Sequence, residues 1–290
     1  MKSTEKPLGM LYIVSTPIGN LEDITLRALR VLREVDLIAA EDTRRTRQLL
    51  SHYGIHKPLV SYREHNRRKR AEFLLAEIRE GRNVALVTDA GTPGISDPGE
   101  HLVRKVIQES IPIIPIPGPS ALIAALSVSG LPTESFLFYG FLPSKPTARK
   151  KLLLSLKDRA ETLIFYESPK RLNAFLEEAV QILGERQVVV AREMTKIYEE
   201  IYRGTAAELL REMGEEDVKG EVTIVMEGCT RPAKIESSSI AEMLEIYFHE
   251  MGLSMKEAIE RVSTELEVSK RDVYQESLKI KGKIPGRKAL

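Results

Sequence analysis

The stretch VALVTDAGTPGISDPG, residues Val84–Gly99, decides the fold of this 290-residue chain. Its first four residues predict an apolar strand, which runs into a loop rich in glycine and proline and framed by Asp89 and Asp97. Glycine lets the backbone approach a ligand closely or adopt a positive φ angle. Because ligands of parallel α/β sheets bind where the strands' carboxyl ends meet loops, this loop predicts a small-molecule site. The alternative is an ordinary strand-to-helix connection, although most of those have about 2–6 residues.

The side chains of this loop narrow the class of ligand. It contains no lysine or arginine and does not match a GxxxxGK[ST] phosphate loop, and no GxGxxG motif follows a predicted strand. Two carboxylates would repel a pyrophosphate, whereas they suit a ligand with hydroxyl groups or a positive charge, such as a ribose or a sulfonium. The loop therefore argues against a phosphate cradle and a dinucleotide site.

Composition places the chain among globular proteins of about two domains, since hydrophobic residues make up 42% of it. A single cysteine, Cys229, excludes an intramolecular disulfide and predicts a cytoplasmic location. No run of about 18 apolar residues is present and the N-terminus has no signal-peptide core, so we expect no membrane span. The histidines are scattered and neither HExxH nor CxxC occurs, so no metal site is predicted.

The net charge is only +1, but the basic residues are concentrated in one segment. Between residues 44 and 70, nine basic residues stand against Glu64 alone: Arg44, Arg45, Arg47, Lys57, Arg63, Arg67, Arg68, Lys69 and Arg70. The C-terminus adds Lys279, Lys281, Lys283, Arg287 and Lys288. A basic face on a nearly neutral protein favours a polyanionic partner such as nucleic acid, and a solvated helix surface is the alternative.

Apolar runs and helical periodicity alternate along the first half of the chain. Strands are predicted at Met10–Thr16, Leu37–Ala40, Leu59–Tyr62, Val84–Val87 and Ile113–Ile116. Helices are predicted at Thr25–Glu34, Thr43–Tyr53 and Arg67–Glu80, and another opens at Pro117-Gly118-Pro119-Ser120 with Pro119 in its first turn. This alternation predicts a mostly parallel sheet flanked by helices.

A second α/β run follows a hinge predicted at Gly130-Leu131-Pro132. Its strands are predicted near Phe136–Gly140, Leu163–Tyr166, Val188–Arg192, Glu200–Arg203 and Val222–Met226, and its helices near Thr147–Leu156, Arg171–Leu183 and Ala206–Met213. The fold class is therefore α/β, with two α/β domains at 8–128 and 129–230 and a ligand cleft between them.

The last part of the chain, 231–290, is predicted to be a small helical extension. A polar linker precedes helices at Ile240–Met251, Met255–Leu266 and Lys270–Lys279. The short turn Glu267-Val268-Ser269 has the spacing of a helix-turn-helix, which many helical hairpins share.

An ordered set of motifs gives the chain a family resemblance. The motifs are Val14–Asp23, Glu41–Arg44, Thr88–Gly99, Pro117–Ala121, Gly140–Pro143, Phe165–Pro169 and Ala191–Lys196. Across roughly Met10–Gly228 the chain resembles the tetrapyrrole-methylase superfamily of S-adenosylmethionine-dependent methyltransferases, and within it the branch that methylates ribosomal RNA. Corrin-modifying members carry Gly-Asp-Pro in the cofactor loop, whereas this chain has Asp89–Pro93 there, which favours RNA over a tetrapyrrole.

The resemblance implies a folded S-adenosylmethionine molecule in the cleft between the two α/β domains. The residues that it places around the cofactor are Pro17, Asp89, Ala90, Gly91, Ile95, Ser120, Ala121, Leu142, Met194 and Thr223. Without the resemblance, Leu142 and Met194 would be read as core residues. It also implies a homodimer and, as substrate, a cytidine ribose in the decoding region of 16S rRNA on the small ribosomal subunit.

The sequence leaves the general base open among Asp42, Asp89 and Glu193, and Arg44 is a further catalytic candidate. Asp42 follows a predicted strand and could equally cap the next helix, since aspartate is a favoured N-cap residue. Glu193 could instead form a structural ion pair with Arg192 or Lys196.

The basic segment is expected to hold RNA through phosphates, by Arg44, Arg45, Arg47, Arg63, Arg67, Arg68, Lys69 and Arg70. Two other functions fit the same sequence. One is a methyltransferase of this fold that acts on a tetrapyrrole or another small molecule, and the other is a non-catalytic RNA-binding factor.

Overall fold

A computed structural model describes residues 7–213, 220–230, 237–266 and 268–281, without the side chains of 237–239, 249–250 and 280–281. The chain divides into two compact units between Thr230 and Arg231. Within the described part of the chain, no helix has the length and apolar character that crossing a bilayer requires. The division of the first unit into domains at residue 128 stays a prediction.

The first unit begins with a five-stranded parallel sheet. Its strands are β1 (Leu11–Val14), β2 (Leu37–Ala40), β3 (Leu59–Ser61), β4 (Val84–Val87) and β5 (Ile113–Ile116), in the order β3-β2-β4-β1-β5. Its helices are α1 (Leu26–Glu34), α2 (Thr43–His52), α3 (Arg67–Arg79), α4 (Glu100–Gln108) and α5 (Ala121–Ser127). This part confirms the predicted parallel α/β sheet.

Successive side chains of β4 point to opposite faces of the sheet and belong to two separate apolar clusters. Ala85 and Val87 pack in one cluster with residues of α1, whereas Val84 and Leu86 pack in another with residues of α3 and α4. Successive side chains of a strand point to opposite faces, so the sheet is covered by helices on both sides. That burial explains why its strands read as continuous apolar runs.

A second sheet follows in the same unit. Its strands are β6 (Phe136–Phe141), β7 (Thr162–Glu167), β8 (Gln187–Arg192), β9 (Glu200–Thr205) and β10 (Val222–Met226), in the order β6-β7-β10-β8-β9. Its helices are α6 (Pro146–Ser155), α7 (Leu172–Leu183) and α8 (Ala206–Met213). β6 and β7 run parallel, while the other described pairs of this sheet are antiparallel.

Helix α5 follows the first sheet in sequence but packs against the second sheet. Its buried residues Leu122, Ala125 and Leu126 share one apolar cluster with Ile164, Val189, Ala191 and Val225. The opposite face of the second sheet is covered by α6, α7 and α8, whose side chains form the largest apolar cluster of the unit. The helix that follows the last strand of the first sheet is therefore buried on the second sheet.

Two expectations from the sequence need correction. Helix α4 was not predicted, although Leu102 and Val106 are buried on one face of it at helical spacing. Pro119 precedes α5 instead of occupying its first turn, because Ser120 has extended backbone at the N-cap and the helix begins at Ala121.

The second unit is a small bundle around Ile240, Leu244, Ala258, Val262 and Val273. Its helices are α9 (Ser237–Glu245), which continues into a π-helical turn at Ile246–Glu250, α10 (Met255–Glu265) and α11 (Lys270–Lys281). The three predicted helices are therefore confirmed, but the predicted helix-turn-helix contact includes Glu267, which lies outside the described residues, as do Lys283, Arg287 and Lys288.

A buried ion pair ties α6 to α7 and gives a test of this packing. Arg149 Nε and Nη2 donate to the two Glu178 carboxylate oxygens at 2.6 and 2.9 Å, and the two side chains are 5% and 10% exposed. Glu178→Gln leaves the guanidinium buried without a counter-charge, so we expect the free energy of unfolding in urea to fall by about 3–5 kcal/mol. The control Glu177→Gln, at an exposed position on the same helix, should change it by less than about 0.5 kcal/mol.

Candidate functional site

The glycine-rich loop after β4 is joined to the turn after β1 by two backbone hydrogen bonds. The Thr16 amide donates to the Gly91 carbonyl at 2.9 Å, and the Gly91 amide donates back to the Thr16 carbonyl at 3.0 Å. Gly91 has φ +83°, a conformation that favours glycine. Two neighbouring strands of the first sheet therefore end in one rigid, joined edge.

A cavity of about 370 Å³ lies between this edge and the second sheet. Among the residues predicted to surround the cofactor, those that line it are Asp89, Ala90, Gly91, Ile95, Ser120, Ala121, Met194 and Thr223. The other residues that form its wall include Glu41 and Asp97 from the first half, and Phe141, Tyr166 and Glu167 from the second. The structure thus brings together most of the residues that were predicted from distant motifs.

Two of the predicted cofactor residues lie elsewhere. Pro17 lines an adjoining cavity that shares Asp89 and Ala90 with the first. Leu142 is 3% exposed and packs in the apolar core of the second sheet. The Leu142 side chain therefore packs in the core, as its apolar character suggested, and its contact with the cofactor stays a prediction.

Two carboxyl groups of the cavity wall are held by local contacts. Glu41 Oε2 accepts a hydrogen bond from the Thr88 hydroxyl at 2.7 Å. Asp89 accepts one from the Asp42 amide at 3.0 Å and pairs with Arg45 at 3.3 Å. Burial nevertheless raises the pKa of Asp89, because these contacts compensate only partly for desolvation.

Asp97 is the second carboxyl group of the glycine-rich loop. Burial, together with the nearby charges of Glu41 and Asp89, raises the pKa of Asp97 to about 6. Glu41 and Asp97 belong to the motifs Glu41–Arg44 and Thr88–Gly99, but neither was predicted to be a catalytic or cofactor-binding residue. The signal that could have found them is their position in the same short motifs as Asp42 and Asp89.

Asp42 caps helix α2 and is bound to two arginines. Its carboxylate accepts from the Arg44 amide at 2.9 Å and lies 2.8 Å from Arg44 Nη2 and 3.1 Å from Arg63 Nη2. Hydrogen bonds from Arg44, and then the charges of both arginines, hold the pKa of Asp42 well below its usual range. Asp42 is therefore the N-cap of α2, as one of the two alternatives expected, and its catalytic role stays a prediction.

Glu193 lies in a strained turn at the other side of the cavity, with φ +48°. Its carboxylate accepts from Lys196 Nζ at 2.7 Å and from the Glu221 amide at 2.8 Å. Burial would raise the pKa of Glu193, but these hydrogen bonds outweigh it and the pKa is lowered. The predicted ion pair with Lys196 is present.

The turn that carries Glu193 contacts the turn after β1, in the first half of the unit. The Asn20 amide donates to the Thr195 hydroxyl at 3.0 Å. A Cβ at Gly19 would lie 2.5 Å from Lys196 Cγ and 3.0 Å from the Met194 carbonyl oxygen. Only a glycine leaves room for this contact, which fixes Met194 on the cavity wall.

The predicted RNA-binding residues lie on α2, after β3 and at the start of α3. Arg44, Arg45 and Arg63 contact the carboxylates of the site, and Arg67 pairs with Glu64 at 2.5 Å. The remaining four form no ion pair with any described residue: Arg47, Arg68, Lys69 and Arg70. The basic segment therefore borders the site and keeps unpaired cations.

The family of the chain follows from comparison with known proteins. A family model described as Tetrapyrrole (Corrin/Porphyrin) Methylases matches residues 10–210. The chain belongs to this family. Members of the family are methylases, and the chain is accordingly a methyltransferase.

Close relatives share one name. A ribosomal RNA small subunit methyltransferase I of Halalkalibacterium halodurans is 49% identical over 271 residues, which are 92% of this chain and 93% of the relative. Proteins of the same name from Synechocystis and Escherichia coli O157:H7 are 46% and 51% identical, over 94% and 78% of this chain and 99% and 80% of theirs.

Solved structures confirm the fold. A uroporphyrin-III-C-methyltransferase from Thermus thermophilus is similar with a TM-score of 0.55 at 24% identity, and a cobalt precorrin-4 methyltransferase with 0.58 at 19% identity. Each similarity covers 75% of this chain and 94% of the solved one.

A substitution at Gly19 tests the contact between the turn after β1 and the turn that carries Glu193. Gly19→Ala adds a methyl group against Lys196 and Met194, so we expect the cavity to bind S-adenosylmethionine about tenfold more weakly, or by 1.4 kcal/mol. Calorimetric titration measures this affinity. Glu177→Ala, at an exposed position that does not line the cavity, is the control and should leave the affinity unchanged. If Gly19→Ala binds S-adenosylmethionine as tightly as this control, the proposed contact is contradicted.

Proposed function

We propose that this methyltransferase moves a methyl group from S-adenosylmethionine to the 2′-hydroxyl of a cytidine ribose in the 16S RNA of the small ribosomal subunit. In addition to the name of the relatives, one observation of the structure supports this proposal. The cavity between the sheets shares Glu41 and Asp89 with a second cavity, of about 660 Å³, which Arg63 also lines. A small-molecule site therefore opens directly onto the basic segment.

The residues of the first cavity fit S-adenosylmethionine. Its volume is within the range of about 300–1,000 Å³ that small-molecule sites occupy. Glu167 is fully buried there, and its Oε2 has no hydrogen-bond partner among the described residues, so it can accept from an amino or hydroxyl group. Glu41 and Asp89 supply negative charge that complements a sulfonium, while Ile95 and Met194 offer apolar surface.

When bound, S-adenosylmethionine supplies an electrophilic methyl group. The protein's main contribution is then to hold the acceptor hydroxyl in line with that group, and correct placement lowers a barrier by about 7–11 kcal/mol. Thr16, Gly91 and Gly19 keep the two walls of the cavity rigid through the contacts described above. The apolar side chains of the wall exclude water from the reacting groups.

The three catalytic candidates contribute by positioning in this proposal. Asp42 orients Arg44 and Arg63 toward the opening, and those guanidinium groups are placed to hold the phosphates that flank the target ribose. Glu193 holds Lys196 and the second wall. Their ion pairs make Asp42 and Glu193 weak proton acceptors, since their pKa values are lowered.

RNA binding is proposed to depend on Arg47, Arg68, Lys69 and Arg70 as well, because these cations are not neutralised by any described carboxylate. Their contacts with phosphates would give affinity without choice of sequence. A homodimer and a cytoplasmic location, expected from the resemblance and from cysteine content, complete the proposal.

Transfer of label from S-adenosylmethionine tests the function directly. Small ribosomal subunits, naked 16S rRNA and tRNA are offered in parallel, and we expect labelled 2′-O-methylcytidine in 16S RNA after nuclease digestion and chromatography. A labelled base, or no label in any RNA, contradicts the proposal. A non-catalytic RNA-binding factor would show no heat of S-adenosylmethionine binding. A tetrapyrrole methylase would label no RNA but would label a tetrapyrrole offered in a separate reaction.

Charge reversal tests the basic segment. We expect Arg67→Glu/Arg68→Glu/Lys69→Glu to weaken binding to 16S RNA and to make the plot of log K against log salt shallower by about 2, since each single-strand phosphate contact contributes about 0.7. Filter binding from 50 to 300 mM salt measures both. The control Lys150→Glu/Lys151→Glu/Lys157→Glu reverses three exposed cations elsewhere on the unit; an equal loss in the control would show that net charge alone is responsible.

A further inference from the structure

We propose that a third cavity of the first unit binds the base of the target cytidine, and that Gln48 on its wall forms hydrogen bonds with the edge of that base. The inference rests on the proposed methyl transfer to RNA and adds a site for the part of the nucleotide that differs between residues of the RNA. The basic segment was expected to contact phosphates, and such contacts carry no information about the base.

The third cavity has a volume of about 440 Å³ and adjoins the cavity that fits the cofactor. The turn after β1, one face of α2 and the loop after β4 all contribute to its wall. The residues that line both cavities are Ile18, Arg45, Asp89, Ala90 and Glu221. A molecule in the third cavity therefore lies next to one in the first.

Asp89 marks the place where three cavities meet. Among the described residues, it alone lines the cofactor cavity, the 660 Å³ cavity and the third cavity. A nucleotide also has three parts, with the ribose between the phosphate and the base. When Arg44 and Arg63 hold phosphates and the third cavity holds the base, the ribose lies near Asp89, beside the methyl donor.

One face of helix α2 supplies polar groups to the third cavity. Arg45, Gln48, Leu49 and His52 follow the spacing i, i+3, i+4 and i+7, which places them on one side of the helix. Arg45 pairs with Asp89 at 3.3 Å, so the first turn of this helix is held against the loop after β4. The face therefore has a fixed position relative to the cofactor cavity.

Part of the cavity wall is apolar. Pro17, Ile18 and Leu21 of the turn after β1 line it, and the planar side chains of Arg45 and His52 line it as well. Proteins bind the unstacked bases of single-stranded RNA between such surfaces, with stacking on arginine or aromatic planes and hydrogen bonds to the base edge. The composition of the wall thus suits a flat, partly polar ring.

The side chain of Gln48 is exposed, and it has no hydrogen-bond partner among the residues that the structure describes. A carboxamide carries a donor and an acceptor side by side. Cytosine offers the complementary groups, an acceptor at N3 and a donor at its 4-amino group, so two hydrogen bonds can form. The cations of this wall are engaged elsewhere, because Arg45 pairs with Asp89 and Lys196 pairs with Glu221 at 3.2 Å.

The test combines Gln48→Ala in the protein with removal of the 4-amino group from the target base. Small ribosomal subunits are reconstituted with 16S RNA that carries either cytosine or pyrimidin-2-one at the methylated position. Methyl transfer is measured at low subunit concentration, where the rate reports kcat/KM. Calorimetry gives the affinity for S-adenosylmethionine and shows that each variant is folded.

We expect Gln48→Ala to lower kcat/KM on the cytosine subunits by about 5–150-fold, the usual effect of a two-hydrogen-bond base contact. Removal of the amino group should slow wild type by about fivefold or more. It should change the rate of Gln48→Ala by less than about twofold, because the partner of that group is already absent. Gln181→Ala, at an exposed position of α7 outside all three cavities, is the control and should match wild type on both RNAs.

The outcomes separate this inference from the proposed function. If wild type methylates the cytosine subunits and the amino group matters equally to wild type and to Gln48→Ala, or to neither, Gln48 does not contact the base while the function stands. A loss of S-adenosylmethionine affinity in Gln48→Ala as large as its loss of rate assigns the third cavity to the cofactor and overturns the inference. If wild type labels no RNA, the proposed function fails and this inference fails with it.

Discussion

The packing of α5 against the second sheet is the interaction on which the site depends. Leu122, Ala125 and Leu126 are buried against strands that lie later in the chain. At about 1.5–3 kcal/mol for each fully buried large apolar side chain, this packing holds α5 on the second sheet. Since Ser120 directly precedes α5, the same packing brings the loop after β5 to the cavity wall.

That constraint explains why the chemistry lies at one edge of the first sheet. The parallel strands end together, so the loops after β1, β2 and β4 meet where the second sheet covers them. Thr16 and Gly91 join two of these loops through paired amides, and Asp89 accepts from the Asp42 amide of the third. The cavity edge is therefore shaped by paired backbone hydrogen bonds and by the hydrogen bond between the Asp42 amide and the Asp89 side chain.

Much of the fold was predictable because its signals are local. Leu37–Ala40, Val84–Val87 and Ile113–Ile116 are found at their predicted bounds, since each is a short apolar run between polar or turn-forming residues. The antiparallel pairing of β10 is not a local property, because an apolar run does not specify its neighbour or direction. Leu142 illustrates the same limit, since its motif lies near the site while its side chain packs in the core.

The sequence predicted which residues line the candidate site better than it predicted the role of each residue. Asp89 and Asp97 frame one loop and are eight positions apart, so the sequence presents them as equivalent. The structure separates them through Arg45, a residue of α2 that pairs with Asp89, while the described residues offer Asp97 no cation. The carboxyl group at one end of the loop is thus held in an ion pair, whereas burial raises the pKa of the one at the other end to about 6. The environment of each carboxyl group is decided by contacts that cross more than forty residues of sequence, such as the hydrogen bond from the Asp42 amide to Asp89, and so only the folded chain shows it.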